Sequence, residues 1–268
     1  MTDIEILFED KHIICIRKPI GMLSQSGNDS TELSDVTAWL LAREKMLGNE
    51  EPYIGVVHRL DAGVGGAMVY AKKQYAAAAL SEAIKNRDFT KEYLCVVNGV
   101  PAEASGEYRD LMWKDAAANK SYIVDRPRAG VKEAQLSYRV LQTAQHNGET
   151  CSLLRVTLGT GRSHQIRCQL SYHGTPIIAD GKYGGHRPSD VTENGIALWS
   201  FHLAFTHPAN LPPADRKKPA PATARQQKRQ QKKPVFENPD IVCLPDINTA
   251  PWSWFAERIT DLSDCKTE

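Results

Sequence analysis

Short apolar runs that end in glycine or proline recur along this chain, and they constrain its fold more than any other feature. Runs rich in β-branched and aromatic residues predict strands at "HIICIRKP", "GVVHRL", "GAMVYAK", "KEYLCVVNGVP", "KEAQLSYRVLQT", "TCSLLRVTLG" and "IALWSFHLAFTHP". Two stretches have helical spacing, "SDVTAWLLAREK", which begins at a capping Ser34 or Asp35, and "YAAAALSEAIKNR". The mixed order of these elements predicts an α+β fold around a mixed, mainly antiparallel central sheet flanked by helices and loops.

The length and the cysteine pattern narrow the class of protein. A chain of 268 residues can bury a core without disulfides or metals. Its six cysteines are scattered, with no C-x-x-C pair, so we expect a reducing cytoplasm and neither a disulfide framework nor a structural metal. The first residues lack the pattern of a signal peptide, and no apolar stretch approaches the ~18–20 residues of a membrane span.

Positive charge is concentrated in one segment, residues 216–233. This segment, "RKKPAPATARQQKRQQKK", holds eight Lys or Arg and no acid. Taking those eight charges from a chain of net charge +1 leaves −7 on the other 250 residues. The segment lacks large apolar side chains, so we expect it to be disordered. It is either a solvated linker or a contact for nucleic acid.

Several familiar motifs are excluded by their spacing. "GVGGAM" has Met68 where a dinucleotide fingerprint needs a glycine or a similarly small residue, and "GTGRSH" lacks the ending of a phosphate-binding loop. "HRLD" does not have the order of the kinase motif, and D-F-G is absent. His164 and His173 lie nine residues apart without an H-E-x-x-H motif, so we expect neither a metal site nor a nucleotide cofactor.

Two stretches hold residue types that can carry chemistry. In "HRLD", residues 58–61, an apolar strand delivers Asp61 onto a glycine-rich turn, where the carboxylate could face a cleft. A carboxylate beside an arginine stays ionised at neutral pH and can act as a nucleophile or a base; alternatively, the pair only fixes the turn. The second stretch spans residues 158–185 and brings together Arg162, His164, Gln165 and Arg167.

The chain resembles the RluA-type pseudouridine synthase family in three long segments. These are "GVVHRLDAGVGGAMVYAKK", "KEYLCVVNGVP" and "LGTGRSHQIRCQLSYHGTPIIADGKYGG", in this order. The resemblance covers about residues 5–208, with a looser fit at "KPVFENPDIVCLP". It implies a single pseudouridine synthase catalytic domain over residues 1–268, with a basic insertion at 212–234 and a C-terminal segment at 235–268. The separate small RNA-binding domain with which many relatives begin is expected to be absent.

The resemblance implies an isomerase that acts on ribosomal or transfer RNA without a cofactor. Such enzymes cut the N-glycosidic bond of a uridine, turn the uracil and rejoin it to the ribose through C5. Asp61 matches the catalytic aspartate. Tyr93 matches the tyrosine that lies against the uracil and helps to deprotonate C5, and Arg167 matches the arginine paired with the aspartate.

Four further residues are expected to bind the substrate. Arg59 matches an arginine that enters the space left by the flipped nucleotide. Unpairing a base costs a few kcal/mol, which a side chain in the gap partly offsets. The other three are Arg162, His164 and Gln165.

The chain departs from the family in the turn after the aspartate. The family commonly has Thr-Ser-Gly where this chain has Val64-Gly65-Gly66, so two hydroxyls that could hold the turn are missing. This departure affects the expected geometry of the loop more than the expected reaction.

Two other functions stay open at this point. One is an RNA-binding or RNA-folding factor of the same fold without activity, against which the intact Asp61, Tyr93 and Arg167 argue. The other is a nucleoside-cleaving hydrolase. Such an enzyme would normally need a second carboxylate for acid–base catalysis, and the recognised motifs hold no acid paired with Asp61. We expect a monomer; the RNA and the uridine positions that it modifies cannot be read from the sequence.

Overall fold

The predicted strands assemble into one twisted sheet. The computed structural model describes residues 3–25, 35–192, 194–211 and 235–264, so the basic segment 216–233 lies outside the described residues. Within them the strands are β1 (Ile6–Glu9), β2 (Ile13–Lys18), β3 (Gly55–Val56), β4 (Gly65–Ala71), β5 (Phe89–Asn98), β6 (Ser105–Asp115), β7 (Lys120–Ile123), β8 (Val131–His146), β9 (Glu149–Leu158), β10 (Leu198–Phe205) and β11 (Asp240–Val242). The α-helices are α1 (Val36–Met46), α2 (Gln74–Asn86), α3 (Gln165–Tyr172) and α4 (Ala256–Thr260).

The strand order confirms a mixed, mainly antiparallel sheet. The strands lie in the order β1-β2-β4-β10-β5-β9-β8-β6-β7, with β3 beside β4 and β11 beside β10. Among the described strand pairs, β4 with β10 is parallel and the others are antiparallel. The structure therefore has the predicted α+β architecture, and β10 and β5 occupy the centre of the sheet.

Local sequence accounts for the helices and the tight turns. The Asp35 side chain accepts a hydrogen bond from the Ala38 amide at 3.0 Å, which caps α1 as expected. α2 buries one face through Ala76, Ala79, Leu80 and Ala83. Asn147 and Gly148 both have positive φ, 50° and 82°, as a two-residue hairpin turn between β8 and β9 requires.

The structure corrects the prediction for "GVVHRL". The strand extends over Gly55–Val56 alone, and the chain then leaves the sheet. The backbone amide of Val69, on β4, donates to His58 Nε2 at 3.2 Å instead of to a strand partner. This early exit frees residues 57–61 to line a cleft.

The elements not anticipated from the sequence include β6, β7 and α3. β6 mostly alternates between half-buried and exposed positions, β7 has a single buried position, and both carry many polar residues, so they lack a clear apolar run. α3 buries Gln165 and Gln169 together with Ile166, Cys168 and Leu170, and these glutamines interrupt the apolar pattern by which the helix could be predicted.

No described helix has the length and apolar character that crossing a membrane would require.

Close packing between β4 and β10 explains the departure at Gly65 and the need for glycine at position 66. These residues pair with Trp199 and Ser200 of β10 in parallel register. A Cβ at Gly65 would overlap the Trp199 ring, and a Cβ at Gly66 (φ 114°) would overlap the backbone of Ser200. The Trp199 ring thus occupies the space that a serine side chain would take at position 65, and its indole N–H donates to the Cys243 carbonyl at 2.8 Å.

Substituting Gly66 by alanine should destabilise the sheet beside the cleft. Gly148→Ala is the matched control, because Gly148 also has positive φ but no atom within 4 Å of its Cβ position. Backbone strain alone should cost the control about 1–2 kcal/mol. Gly66→Ala should lose clearly more, because the overlap with Ser200 adds to that strain. Urea unfolding measures both; equal losses would contradict this account of the β4–β10 contact.

Candidate active site

A cleft of about 880 Å³ opens at one end of the central strands. Its walls are the segment 56–64, the first half of β5 and the loop 158–164 leading into α3. Although the chain outside the basic segment carries a net negative charge, Asp61 is the one carboxylate among the described lining residues. The cations that line it are Arg59, Lys85, Arg87, Lys91, Lys114, Arg162 and Arg167. Such a cleft attracts a polyanion.

The turn that presents Asp61 is held from beneath by a buried lysine. The Val64 amide donates to the Asp61 carbonyl at 3.0 Å, which closes the turn. Lys18, fully buried, donates to the carbonyls of Pro19, Ala62 and Val64 at 2.7, 3.3 and 2.8 Å. Burial lowers the pKa of Lys18 to about 8, although the nearby Asp61 charge opposes this shift. These bonds fix the turn without the two hydroxyls that the family commonly has there.

Arg167 connects two carboxylates. Its Nη1 donates to Asp61 Oδ2 at 2.7 Å, the contact that the resemblance implies. Its Nε and Nη2 donate to the two oxygens of Asp180 at 2.7 and 2.8 Å. The Tyr183 ring lies 5.1 Å from the guanidinium carbon. The bidentate contact with Asp180 fixes the plane of the guanidinium and thereby the direction of Nη1.

Asp180 corrects the expectation that no second acid stands near Asp61. It lies in the third recognised segment, but it reaches Asp61 only through Arg167, and its side chain is 1% exposed. Burial alone would lower the pKa of Arg167, but the hydrogen bonds and the charge of Asp180, followed by those of Asp61, raise it above its ordinary value. The arginine therefore stays charged. Asp180 faces away from solvent and serves the guanidinium, so it is not a second acid of the kind that a hydrolase uses.

His164 lies behind Asp61 and takes part in a hydrogen-bond chain. The Tyr183 hydroxyl accepts from the Ser121 amide at 2.8 Å and lies 3.0 Å from His164 Nδ1. His164 Nε2 is 3.7 Å from Asp61 Oδ2, beyond hydrogen-bond distance. Burial lowers the pKa of His164, partly opposed by the Asp61 charge, so the ring is neutral at pH 7.

Gln165 and Arg162 differ in what they offer to the cleft. Gln165 Oε1 accepts from the Thr160 hydroxyl at 2.7 Å and from the Arg162 amide at 3.0 Å, and its Nε2 donates to the Gln135 carbonyl at 2.9 Å. Its amide group is thus used to hold the loop, whereas the sequence predicted a substrate contact. The Arg162 side chain donates to the Glu133 carbonyl at 2.8 Å and lines the cleft.

Tyr93 lies in the inner wall of the cleft and Arg59 lies at its mouth. Tyr93 is 6% exposed and lies on β5 in the inner wall. Burial, followed by the Asp61 charge, raises the pKa of Tyr93 far above its ordinary value, so the phenol keeps its proton at neutral pH. Arg59 is exposed at the mouth, and its guanidinium forms no hydrogen bond and no ion pair in the part of the chain that the structure describes.

The most informative residues that the sequence did not single out are Asp180, Lys18 and Lys91. Asp180 lies in "IIADGKYGG", where an aspartate before a glycine has the appearance of an ordinary turn residue. Lys18 precedes a proline at the end of a strand, which gives no sign of burial. Lys91 is in the same strand as Tyr93, and the cleft-facing alternation of that strand could have indicated it.

Comparisons with known proteins match most of the chain to one family. The family model described as RNA pseudouridylate synthase matches residues 12–172. The ribosomal large subunit pseudouridine synthase D of Xylella fastidiosa is 34% identical over 233 residues, which are 81% of this chain and 66% of that protein. The dual-specificity RNA pseudouridine synthase RluA of Vibrio vulnificus is 33% identical over 213 residues, 76% of this chain and 78% of that protein. The RluA-type resemblance is confirmed.

The fold is shared with a solved structure of low sequence identity. The human RNA pseudouridylate synthase domain containing 4 superposes with a TM-score of 0.66 at 22% identity, over 96% of this chain and 93% of that one. Against several curated relatives, including the Bacillus subtilis protein YlyB at 65%, the chain spans slightly less than two thirds of the relative's length. The likeness therefore covers the sheet and the cleft, and not the whole of those relatives.

Removing the Arg167 guanidinium should strongly destabilise the protein. Arg167→Ala leaves the buried Asp180 carboxylate without its cation, which should cost about 3–5 kcal/mol of unfolding free energy. Arg167→Ala combined with Asp180→Asn should recover part of this loss, because the second change removes the buried charge. Arg109→Ala is the control: its guanidinium, 71% exposed, pairs with Glu107, and its loss should cost less than ~1 kcal/mol. A loss at Arg167 no larger than at Arg109 would contradict the shared-arginine geometry.

Proposed function

Because this chain belongs to the RNA pseudouridylate synthase family, we propose that it isomerises uridine in RNA to pseudouridine. The observation that carries the proposal is the Asp61 carboxylate, 35% exposed and held by Arg167 at 2.7 Å, inside a cleft lined otherwise by cations. The oriented carboxylate is the reactive group, and the cations receive the RNA backbone.

The reaction requires no oxidant, reductant or cofactor. The bond between C1′ of the ribose and N1 of the uracil breaks, and a bond between C1′ and C5 forms. The proton on C5 is lost, and N1 gains a proton. In this proposal Asp61 attacks C1′ or removes a proton from the ribose, so that the sugar and the base separate while both stay in the cleft.

Tyr93 forms the wall against which the uracil lies. Its ring is nearly buried and faces the same cavity as Asp61. Since its phenol is protonated in the free protein, Tyr93 acts first as an apolar surface and as a hydrogen-bond donor. In this proposal Tyr93 also helps to deprotonate C5.

Arg59 supports entry of the target nucleotide. A uridine within a stem must leave its stack before it reaches Asp61, at a cost of a few kcal/mol. The free guanidinium of Arg59, two residues from Asp61 and exposed at the mouth, is placed to occupy the gap. Four further cations line the same cleft and offer contacts for phosphates: Arg162, Lys114, Arg87 and Lys85.

The proposed substrate is ribosomal or transfer RNA, modified by a monomeric protein in the cytoplasm. The relative named for the ribosomal large subunit supports ribosomal RNA.

Asp61→Asn should abolish pseudouridine formation and leave the fold and RNA affinity almost unchanged, because asparagine keeps the shape but neither attacks C1′ nor takes a proton. RNA from cells that lack the protein, labelled with tritium at C5 of uridine, is the substrate. The wild type should release tritium to water, and the variant should not. Turnover above a few per cent in the variant would contradict the role of Asp61. Release of free uracil without tritium loss would indicate a hydrolase, and RNA binding without either product would indicate an inactive RNA-binding factor.

The basic segment 216–233 is proposed to contact RNA phosphates. The residues on either side of it are joined: the Phe236 amide donates to Asn210 Oδ1 at 3.0 Å, and Asn210 Nδ2 donates to the Phe236 carbonyl at 2.7 Å. Asn210 follows β10, whose last residue Phe205 stacks on Phe89 at 4.7 Å. Phe89 comes two residues after Arg87, which lines the cleft.

Deleting residues 216–233 should weaken RNA binding at low salt. If about half of its eight cations contact phosphates, the plot of log affinity against log salt should flatten by roughly 3 units. The single-turnover rate at saturating protein should hardly change, because the reactive residues lie elsewhere. An unchanged salt slope would reduce the segment to a linker, and a collapsed single-turnover rate would show that it shapes the cleft instead.

A further inference from the structure

Lys91 places a positive charge in the cleft wall without a counter-charge. The residue is 8% exposed and lines the cavity two positions before Tyr93. Within the described part of the chain, its ammonium forms no hydrogen bond and no ion pair. Burial lowers the pKa of Lys91, and no neighbouring carboxylate offsets that shift. A mostly buried lysine that lines a cavity without a counter-charge points to a ligand that supplies the missing charge.

The carboxylates close to Lys91 are committed elsewhere. Glu92, the next residue, projects from the opposite face of β5. There it accepts from Arg155 at 2.9 and 2.6 Å and lies 2.7 Å from His202 Nδ1. Asp61, inside the cleft, is held by Arg167. Neither acid neutralises Lys91.

A second donor without an acceptor lies in the same wall. His58 Nε2 accepts from the Val69 amide, so the ring proton is on Nδ1. That Nδ1 atom is buried and has no hydrogen-bond partner among the described residues. Burial, and after it the charge of Lys91, lowers the pKa of His58 to about 3, so the ring is a neutral donor. Both groups lack a hydrogen-bond acceptor, and Lys91 also lacks a counter-charge.

The wall also leaves room beside the ammonium. A Cβ at Gly161 would lie 3.4 Å from Lys91 Nζ, so the absence of a side chain there keeps this space open. Lys91 lies between Tyr93, farther along β5, and Arg87, which precedes the strand, and all three line the cavity.

We propose that Lys91, assisted by His58, binds a phosphate group of the target nucleotide. This deepens the proposed function and rests on it. Phosphate oxygens are acceptors and carry the charge that the ammonium lacks. Side chains two residues apart on one strand face are ~7 Å apart, and one sugar separates a base from its phosphate. A uracil against Tyr93 therefore brings its 5′ or 3′ phosphate to Lys91.

The test compares nucleotides that differ only in the phosphate. The full-length protein is titrated calorimetrically with uridine, uridine 5′-monophosphate, uridine 3′-monophosphate and inorganic phosphate. We expect the wild type to bind one monophosphate at least tenfold more tightly than uridine, and the preferred isomer identifies the phosphate. Lys91→Met should bind uridine as before but lose the preference. Lys45→Met removes one exposed positive charge from α1 and should keep it.

The melting temperature separates phosphate binding from a purely structural role for Lys91. If Lys91 binds phosphate, removing its unpaired charge should leave the melting temperature of the free protein unchanged or raise it. A Lys91→Met variant that keeps the monophosphate preference would overturn the proposal. So would a variant that melts lower and loses uridine and monophosphates equally, because that pattern indicates lost packing.

The two proposals fail separately. Tritium release from RNA tests the isomerisation and does not involve the mononucleotides. If the wild type releases no tritium, yet Lys91→Met loses the monophosphate preference, the phosphate site stands and the proposed function fails. If the wild type is active and Lys91→Met keeps the preference, the phosphate site fails alone.

Discussion

Arg167 donates to two carboxylates at once, and these shared hydrogen bonds control the geometry of the cleft. Asp180 takes two donors of Arg167, which fixes the plane of the group, and a third donor is then directed at Asp61. The second acid is buried while Asp61 is 35% exposed, so the arginine is anchored on its inner side and presents Asp61 to the cavity. Tyr183 adds a ring beside the guanidinium and, through its hydroxyl, a link to His164. Asp61 is thus oriented before any ligand arrives, as preorganisation requires.

The central strands bring the parts of this arrangement together from distant positions in the sequence. Asp61 follows β3 and precedes β4, Tyr93 lies on β5, and Arg167 lies on α3. β10 joins them, because it pairs with β4 on one side and β5 on the other. The contact of Gly65 and Gly66 with β10 therefore sets how closely the Asp61 turn approaches the tyrosine. The positive charge that faces this junction contrasts with the acidic remainder of the chain, and such a charge distribution attracts a polyanion.

The sequence could predict what depends on local patterns and could not predict what depends on long-range pairing. The buried strands, the capped α1 and the Asp61 turn follow from apolar runs and turn residues. The family resemblance identifies Asp61, Tyr93 and Arg167. Asp180 was missed because its partner lies 13 residues away in a different element. The hydrogen bonds of the Gln165 amide with Thr160 and Gln135 could not be predicted, because nothing local in the sequence shows them.

The central claim is that Asp61, positioned by Arg167, lets this protein make pseudouridine in cellular RNA. The most direct measurement is a single-nucleotide map of pseudouridine in ribosomal and transfer RNA from cells without the protein, complemented with the wild type or with Asp61→Asn. The account predicts at least one pseudouridine that is absent without the protein, restored by the wild type and not restored by the asparagine variant. Identical maps in all cells, or a site that the asparagine variant restores, would contradict it.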